Sequence, residues 1–526
     1  MPSLSIQNLT YRFDNGDTPF SDLSFTLDDK ITGLVGRNGT GKSVLAALLS
    51  GEKAPFSGSV TPFCRIGWLQ QIGTEKKLFD QKTVCDFLGV KNKLEALSRV
   101  SEGECTPQDF ELIGDDWLLR KNMEHHLSFL GLPSDPFILC HTLSGGQLTR
   151  LALYQLLQSD YGYLILDEPS NHLDEQGKKW LIEQMKHFNG GILIISHDRD
   201  ILRHVDDILE LNSLGIRYYG GAYDAYAKQR SHELAHQEQR LDHAKTQIKQ
   251  MRQTMQKNRE KAQQRAKQGK QTARSGSQAK VLLNSKKQDA ERASGIRESN
   301  QSRQLTQLQG HLGQLNKQHE VLKPQSFSLG KVEKRVSRIL DIVGVHLPYV
   351  DREDSLTFSI NFGEKIHLSG ANGSGKSTLL KAIMGHLEPV QGHIQVRAGL
   401  YYLDQHFTLI DQTKSAQENL ALFCPHLTQT DQRTLLAGVG LRRERANQAV
   451  ATLSGGEKMK VAMLTISHQP GDILLLLDEP NNHLDLDSRL MLAQALHDFT
   501  GSFLIVSHDQ DFIKDSGVTG TICLDT

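Results

Sequence analysis

Two short stretches, LILDEPSNHLDEQ at 164–176 and LLLDEPNNHLDLD at 475–487, each place an Asp–Glu pair at the end of an apolar run. Asp167 and Asp478 end runs that read as buried parallel strands. A carboxylate there suits a Mg2+ ion, and the following Glu168 or Glu479 suits polarising a water for attack on a phosphoryl group. A lone Asp–Glu pair at a strand end is ordinarily an exposed turn. Here each pair follows a second motif, GRNGTGKS at 36–43 and GANGSGKS at 370–377. Glycines let the backbone curl so that successive N–H groups meet one phosphate at the positive end of a helix. Lys42 and Lys376 would reach the β- and γ-phosphates of a nucleotide, and the hydroxyls of Ser43 and Ser377 would hold Mg2+. The rest of each loop would line the same phosphates: Gly36, Arg37, Asn38, Gly39, Thr40 and Gly41, then Gly370, Ala371, Asn372, Gly373, Ser374 and Gly375 with Thr378.

Such groups must be delivered by strand ends and helix starts, and the chain writes those elements twice. The phosphate loop recurs 334 positions later, as does WLQQ ending at Gln71, which becomes YLDQ ending at Gln405. TLSGGQ with Ser144 returns as TLSGGE with Ser454 after 310 positions. Asp167 and His197 return as Asp478 and His508 after 311. Five motifs in one order mean a duplicated α/β domain. The fall in offset puts about two dozen extra residues in the first copy, between about 75 and 135, and their charge reads as a surface insertion. His197 and His508 each end a further apolar strand, GILIISHD and SFLIVSHD. A lone His there is most often structural, but at this repeated place it could contact the γ-phosphate and orient the water. The expected division is 1–227, 228–325 and 326–526.

The middle segment has its own pattern. Apolar positions Leu241, Ala244, Ile248, Met251 and Met255, then Leu305, Leu308, Leu312, Leu315 and Leu322, follow the three- and four-residue spacing of a helical seam. Between them, RSGSQ at 274–278 is a plausible turn, so an antiparallel helical hairpin is expected. Residues 256–300 hold twelve Lys and Arg against four acids. A basic tip on a stalk suits backbone phosphates of RNA, and the scarcity of aromatics argues against base stacking.

Composition sets the frame. A chain of 526 residues exceeds one ordinary core. No apolar run approaches the roughly 20 residues of a membrane span, and the N-terminus does not read as a signal peptide. Six scattered cysteines without a CxxC pair suit a reducing, cytoplasmic compartment without structural zinc.

The phosphate loop, Gln, LSGGQ or LSGGE, DEP and SHD in this order resemble the nucleotide-binding domains of ABC ATPases. EPSNHLD and EPNNHLD narrow the resemblance to the ABC-F family, soluble tandem ATPases that act on the ribosome. Both differ from that family's EPTNHLD at one residue, Ser170 and Asn481. The resemblance implies two ABC-type phosphate-loop domains joined by a helical hairpin, hydrolysis of ATP with Mg2+, and intramolecular pairing in a monomer. One site would combine Lys42, Asp167 and Glu168 with Ser454, Gly455, Gly456 and Glu457. The other would combine Lys376, Asp478 and Glu479 with Ser144, Gly145, Gly146 and Gln147. It adds Gln71 and Gln405 to the Mg2+ sites, sets Asp174 and Asp485 facing across the dimer, and sends the linker toward tRNA and the peptidyl transferase centre of the rRNA. Adenine would stack on Phe13 or Tyr11 in the first copy, with Tyr349 a guess in the second. Antibiotic resistance by ribosome protection would use the same fold. The ATPase of a membrane importer has no use for a basic hairpin. Chromosome-type ABC ATPases insert zinc modules or very long coiled coils inside a domain, and neither is read in this sequence.

Overall fold

The structure, a computed structural model, describes residues 2–71, 79, 81–104, 106–171, 173–274, 296, 299–316, 337–349, 354–371, 373–404, 407–441, 444–482 and 484–524. It has two compact units, Met1–Asp224 with Gln325–Thr526, and Ala225–Pro324.

In the first copy, β1 (Pro2–Tyr11), β2 (Phe20–Asp28), β3 (Ile31–Val35), β4 (Ser57–Pro62), β5 (Ile66–Leu69), β6 (Tyr163–Asp167), β7 (Gly191–Ile195), β8 (Asp207–Asn212) and β9 (Gly215–Gly220) form two sheets. An antiparallel sheet runs β2-β1-β4, and the core sheet runs β5-β6-β7-β3-β8-β9. All neighbours in the core sheet are parallel except β8 and β9. Every residue of β6 and β7 is buried. These strands carry no polar alternation because both faces are covered, the usual state of a central parallel strand. The second copy repeats the plan with β10 (Arg338–His346), β11 (Leu356–Asn361), β12 (Lys365–Ser369), β13 (Gln391–Val396), β14 (Gly399–Leu403), β15 (Ile473–Asp478), β16 (Ser502–Val506) and β17 (Gly520–Cys523). Its sheets run β11-β10-β13 and β14-β15-β16-β12-β17.

Strand order explains why distant motifs meet. In β6-β7-β3 the phosphate loop leaves β3, His197 follows β7 and Glu168 follows β6, so three neighbouring carboxyl ends deliver all three groups. Ligands of open parallel sheets bind at that edge. The series β15-β16-β12 does the same for Glu479, His508 and the loop before Lys376.

The extra material of the first copy is helical: Val84–Phe87, Lys91–Glu102, Pro107–Ile113 and Leu119–Phe129. It is more than charged surface, because Val84, Met123, Leu127 and Leu130 pack with Leu148 and Leu151 in a buried cluster.

In the other unit, the helix Tyr223–Arg274 has 52 residues, which at about 1.5 Å per residue reaches roughly 78 Å. A returning helix spans 299–316. Leu241 and Ala244 pack on Leu315 and Leu312, while Ile248, Lys249 and Arg252 share a groove with Gln309 and Leu312. Rising numbers on one helix meet falling numbers on the other, so the pair is antiparallel. The tip with Lys280, Lys286, Lys287, Arg292 and Arg297, and Leu322 of the seam, lie outside the described residues.

Candidate functional site

The phosphate-loop helices, Lys42–Leu49 and Lys376–Ile383, start on Gly41 and Gly375, at φ of 94° and 93°. That left-handed conformation costs glycine nothing and a β-carbon a good deal. At Gly36 the constraint is space, since a Cβ would lie 2.3 Å from the carbonyl oxygen of Leu211. Both lysines are buried and donate from Nζ to loop carbonyls: Lys42 to Gly36 at 2.7 Å and Arg37 at 3.1 Å, Lys376 to Gly370 at 2.7 Å and Ala371 at 2.8 Å. The Thr40 hydroxyl donates to the Arg37 carbonyl at 2.8 Å and braces the loop. Ser377 and Thr378 lie in the first turn of their helix; Gly39 and Gly373 take positive φ within the loops.

Glu168 and Glu479 share an unusual backbone, each at φ of 49°. Non-glycine residues avoid this region unless surrounding contacts impose it. Here the N–H of Glu168 donates to Ile195 and that of Glu479 to Val506, both at 2.9 Å. The turn points each carboxylate back at the next strand end. Glu168 Oε1 lies 3.4 Å from His197 Nε2, and Glu479 Oε1 lies 3.5 Å from His508 Nε2. Burial pushes both carboxyls up to about 7, against the pull of Arg489 and Lys42 on Glu168 and of Lys178 and Lys376 on Glu479. Burial, then Lys42 and Arg489, hold His197 well below its ordinary value, so its imidazole is neutral. His508 is lowered by burial and by Lys376.

Asp167 is buried, its pKa raised by desolvation, and it accepts from the Ser43 hydroxyl. A hydroxyl and a carboxylate beside a phosphate loop fit Mg2+, which takes one or two protein oxygens and fills its octahedron with water and phosphate oxygens. Asp478 instead accepts from the Tyr402 hydroxyl at 3.1 Å. Asn372 and Gln405 lie outside the described residues.

The two copies meet at these loops. A cleft of about 430 Å3 is lined by Phe13, Asn38, Lys42, Ser43, Gln71, Asp167, Glu168 and His197 of the first copy and by Leu484 and Arg489 of the second. The N–H of Asn38 donates to Asp485 Oδ2 at 2.8 Å, and Arg37 Nε to Asp487 Oδ2 at 3.1 Å. Lys460, on the helix Gly455–Ser467, feels the charge of Arg37. A second cleft, about 520 Å3, joins Ser144, Gly145, Gly146 and Asp174 of the first copy to Glu479, Asn482 and His508 of the second. Lys376 and Ser377 do not line it. Tyr349 is 95% exposed, in a separate cleft with Ser374, while Tyr11 and Phe13 stack edge to face at 5.2 Å.

Several features escaped sequence reasoning. Ser144 and Ser454 cap their helices, accepting from the N–H of Gln147 and Glu457, whose side chains reach back to the serine N–H groups. Gln147 and Glu457 thus have a capping role, which the S-x-x-Q/E spacing encodes. Asp174 and Asp485 cap the helices Glu175–His187 and Leu486–Asp498. Lys178 and Arg489 were missed altogether, although the 311-residue offset that relates Asp167 to Asp478 also relates them.

Paired phosphate-loop sheets, one bordered by Leu484 and Arg489 and the other by Ser144–Gly146 of the opposite copy, define a tandem ABC-type nucleotide hydrolase. The ABC transporter family matches residues 20–171 and 354–482. The probable ATP-binding protein YheS of Escherichia coli K12 is 30% identical over 499 residues, covering 92% of this chain and 73% of YheS. Mouse ATP-binding cassette sub-family F member 3 is 27% identical over 96% of this chain and 70% of its own length. In fold, the chain is similar to archaeal aABCE1 from its complex with ribosomal stalk protein aP1 (TM-score 0.60, 17% identity, 98% of this chain and 87% of the other). The chain belongs to the ABC ATPase family, within the tandem ABC-F group, and is an ATPase. No helix among the described residues is long and apolar enough to cross a membrane.

Proposed function

We propose that the chain is a ribosome-associated translation factor in which ATP draws the two copies together and hydrolysis lets them part. The observation that carries this reading is the crossed second cleft, where Ser144–Gly146 of one copy face Glu479 and His508 of the other. ATP bound there would touch both copies, and a ligand favours the conformation it binds better. Glu168 and Glu479 act as general bases toward the attacking water, with His197 and His508 holding its position. Lys42 and Lys376 bind the β- and γ-phosphates. Ser43, Gln71 and Asp167 would hold Mg2+ in one site and Ser377, Gln405 and Asp478 in the other; the ion would neutralise phosphate charge.

Ribosome association is supported by three things. The ABC-F resemblance implies it, and aABCE1, a solved protein of similar fold, is described as a ribosome recycling factor. The third is charge: residues 228–323 carry 21 Lys and Arg against 8 acids, leaving 39 basic and 53 acidic residues elsewhere. The linker is therefore the part that suits rRNA and tRNA phosphates. The test is the full chain carrying Glu168→Gln and Glu479→Gln. It should bind ATP without turnover, co-sediment with ribosomes and block peptide synthesis. Near-normal turnover refutes the assigned bases; absence from the ribosomal pellet in ATP refutes the partner.

A further inference from the structure

Lys178 and Arg489 hold equivalent places, four residues after Asp174 and Asp485. Both are buried, at 9% and 7% exposure. Burying a charge is costly unless it is paired, and each has an acid in its own copy. Lys178 Nζ is 2.6 Å from Asp198, and Arg489 Nη1 is 3.4 Å from Asp509. Tying a helix to its own sheet would need no cation, since apolar residues of similar volume do it at less cost.

Each side chain also reaches the other copy. Arg489 Nη1 donates to the His197 carbonyl at 2.9 Å and lines the cleft of Lys42 and Glu168. Lys178 lines the cleft of Glu479 and His508, which Arg489 also borders from within its own copy. The charges act in the same crossed sense, Arg489 pulling down on Glu168 and Lys178 on Glu479. We propose that Arg489 and Lys178 are positioning residues acting in trans: each fixes the Glu–His corner of the opposite copy. Arg489 does this through the backbone of His197, which keeps the imidazole within reach of Glu168. Lys178 does it by its charge beside Glu479 and His508. Preorganised charge of this kind is available without rearrangement when the water attacks. No bond to either residue forms or breaks. This inference rests on Glu168 and Glu479 being the bases.

The test isolates one site at a time in the full chain. Glu479→Gln leaves the Lys42 site to be measured, and Glu168→Gln the Lys376 site. Into each background go Arg489→Met and Lys178→Met, with single-turnover hydrolysis, KM for ATP and unfolding midpoint as readouts. Arg489→Met should slow the Lys42 site by about ten- to a hundredfold, the scale of a misplaced reacting group, with KM changed little. Its effect on the Lys376 site should be much smaller, and Lys178→Met should give the mirror pattern. Arg489→Lys and Lys178→Arg should recover most of the rate. Should loss of a buried cation unfold the protein, the pairs Arg489→Met with Asp509→Asn and Lys178→Met with Asp198→Asn remove each ion pair whole, and the same crossed pattern is expected. Equal loss at both sites, or greater loss at the site of the substituted copy, overturns the proposal, because that is what an ordinary structural ion pair would give. If Glu168→Gln or Glu479→Gln fails to silence its own site, the base assignment falls first and this inference with it.

Discussion

Removing the Asp485 carboxylate should separate the two jobs that this side chain performs. Oδ1 caps its own helix, accepting from the N–H of Ser488 at 2.8 Å. Oδ2 crosses to the first copy, accepting from the N–H of Asn38 at 2.8 Å. Loss of an Asp cap costs about 1 kcal/mol. In a copy of this size each kcal/mol is worth about 2–4 °C of melting temperature, so Asp485→Ala should lower the midpoint by that much. The crossing bond has an ionised acceptor and is worth about 1.5–3 kcal/mol. It spans the copies, so its loss should appear where the copies must meet, as a roughly ten- to hundredfold slower single turnover at the Lys42 site. Asp485→Asn divides the two effects. Asn caps a helix about as well as Asp, which restores the melting temperature. Its single amide oxygen, used in the cap, cannot also accept from Asn38, and its –NH2 group would face that N–H donor, so hydrolysis should stay as impaired as in Asp485→Ala. The assay is calorimetry beside single-turnover hydrolysis in a Glu479→Gln background. Unchanged hydrolysis with a lowered midpoint in Asp485→Ala would show that the Asn38 contact plays no part in catalysis.

Two further outcomes are expected. Replacing Lys257, Arg259, Lys261, Arg265, Lys267 and Lys270 with Gln should weaken ribosome binding and flatten its salt dependence, whose log–log slope is about −0.7 to −0.9 per phosphate contact; Gln keeps helix propensity, so unchanged affinity and slope would make the tip a solvated linker. Burial pushes the thiols of Cys140 and Cys424 up to about 11, and a raised pKa means fewer thiolates at lower pH. At pH 8, iodoacetamide followed by mass spectrometry should therefore modify exposed Cys523 well before either, while equal labelling would mean that these cores open on the time scale of the reaction.

The duplicated sheets and the nucleotide loops were legible because their chemistry admits few residue types. A phosphate loop needs glycine where φ is positive or a carbonyl is close, and both needs are visible at Gly41 and Gly36. The buried strands were legible as unbroken apolar runs. Other parts were not. A single Lys or Arg on a helix reads as surface, and only tertiary packing shows that Lys178 and Arg489 are buried. The strained φ of Glu168 and Glu479 leaves no trace in composition. Charge in the first-copy insertion suggested surface, although every third or fourth residue of Leu119–Phe129 faces a core. The linker seam was legible by spacing, yet among the described residues it is buried only at Leu241, Ala244, Ile248 and Leu315; Met251 and Met255 are half-exposed.

Joining two copies in one chain decides in advance which half meets which, and that permits the two clefts to differ. Arg489 offers a planar fork that bonds the His197 carbonyl, whereas its counterpart Lys178 offers a single ammonium. The guanidinium spreads its donors from Nε and Nη1 over the Leu484 carbonyl, Asp509 and the crossing His197 carbonyl, a planar fork that a point-like ammonium does not offer. Tyr402 gives Asp478 a hydroxyl, and the equivalent of Tyr402 is Trp68, whose indole nitrogen finds no partner among the described residues. His197 is buried, while the His508 side chain keeps 29% of its exposure. A homodimer would have to write each such choice twice, into both sites. In this chain the cleft of Lys42 can be drier and more tightly held than the cleft of Glu479 and His508. Under the cycle proposed above, unequal sites would let one ATP be hydrolysed while the other still holds the copies together.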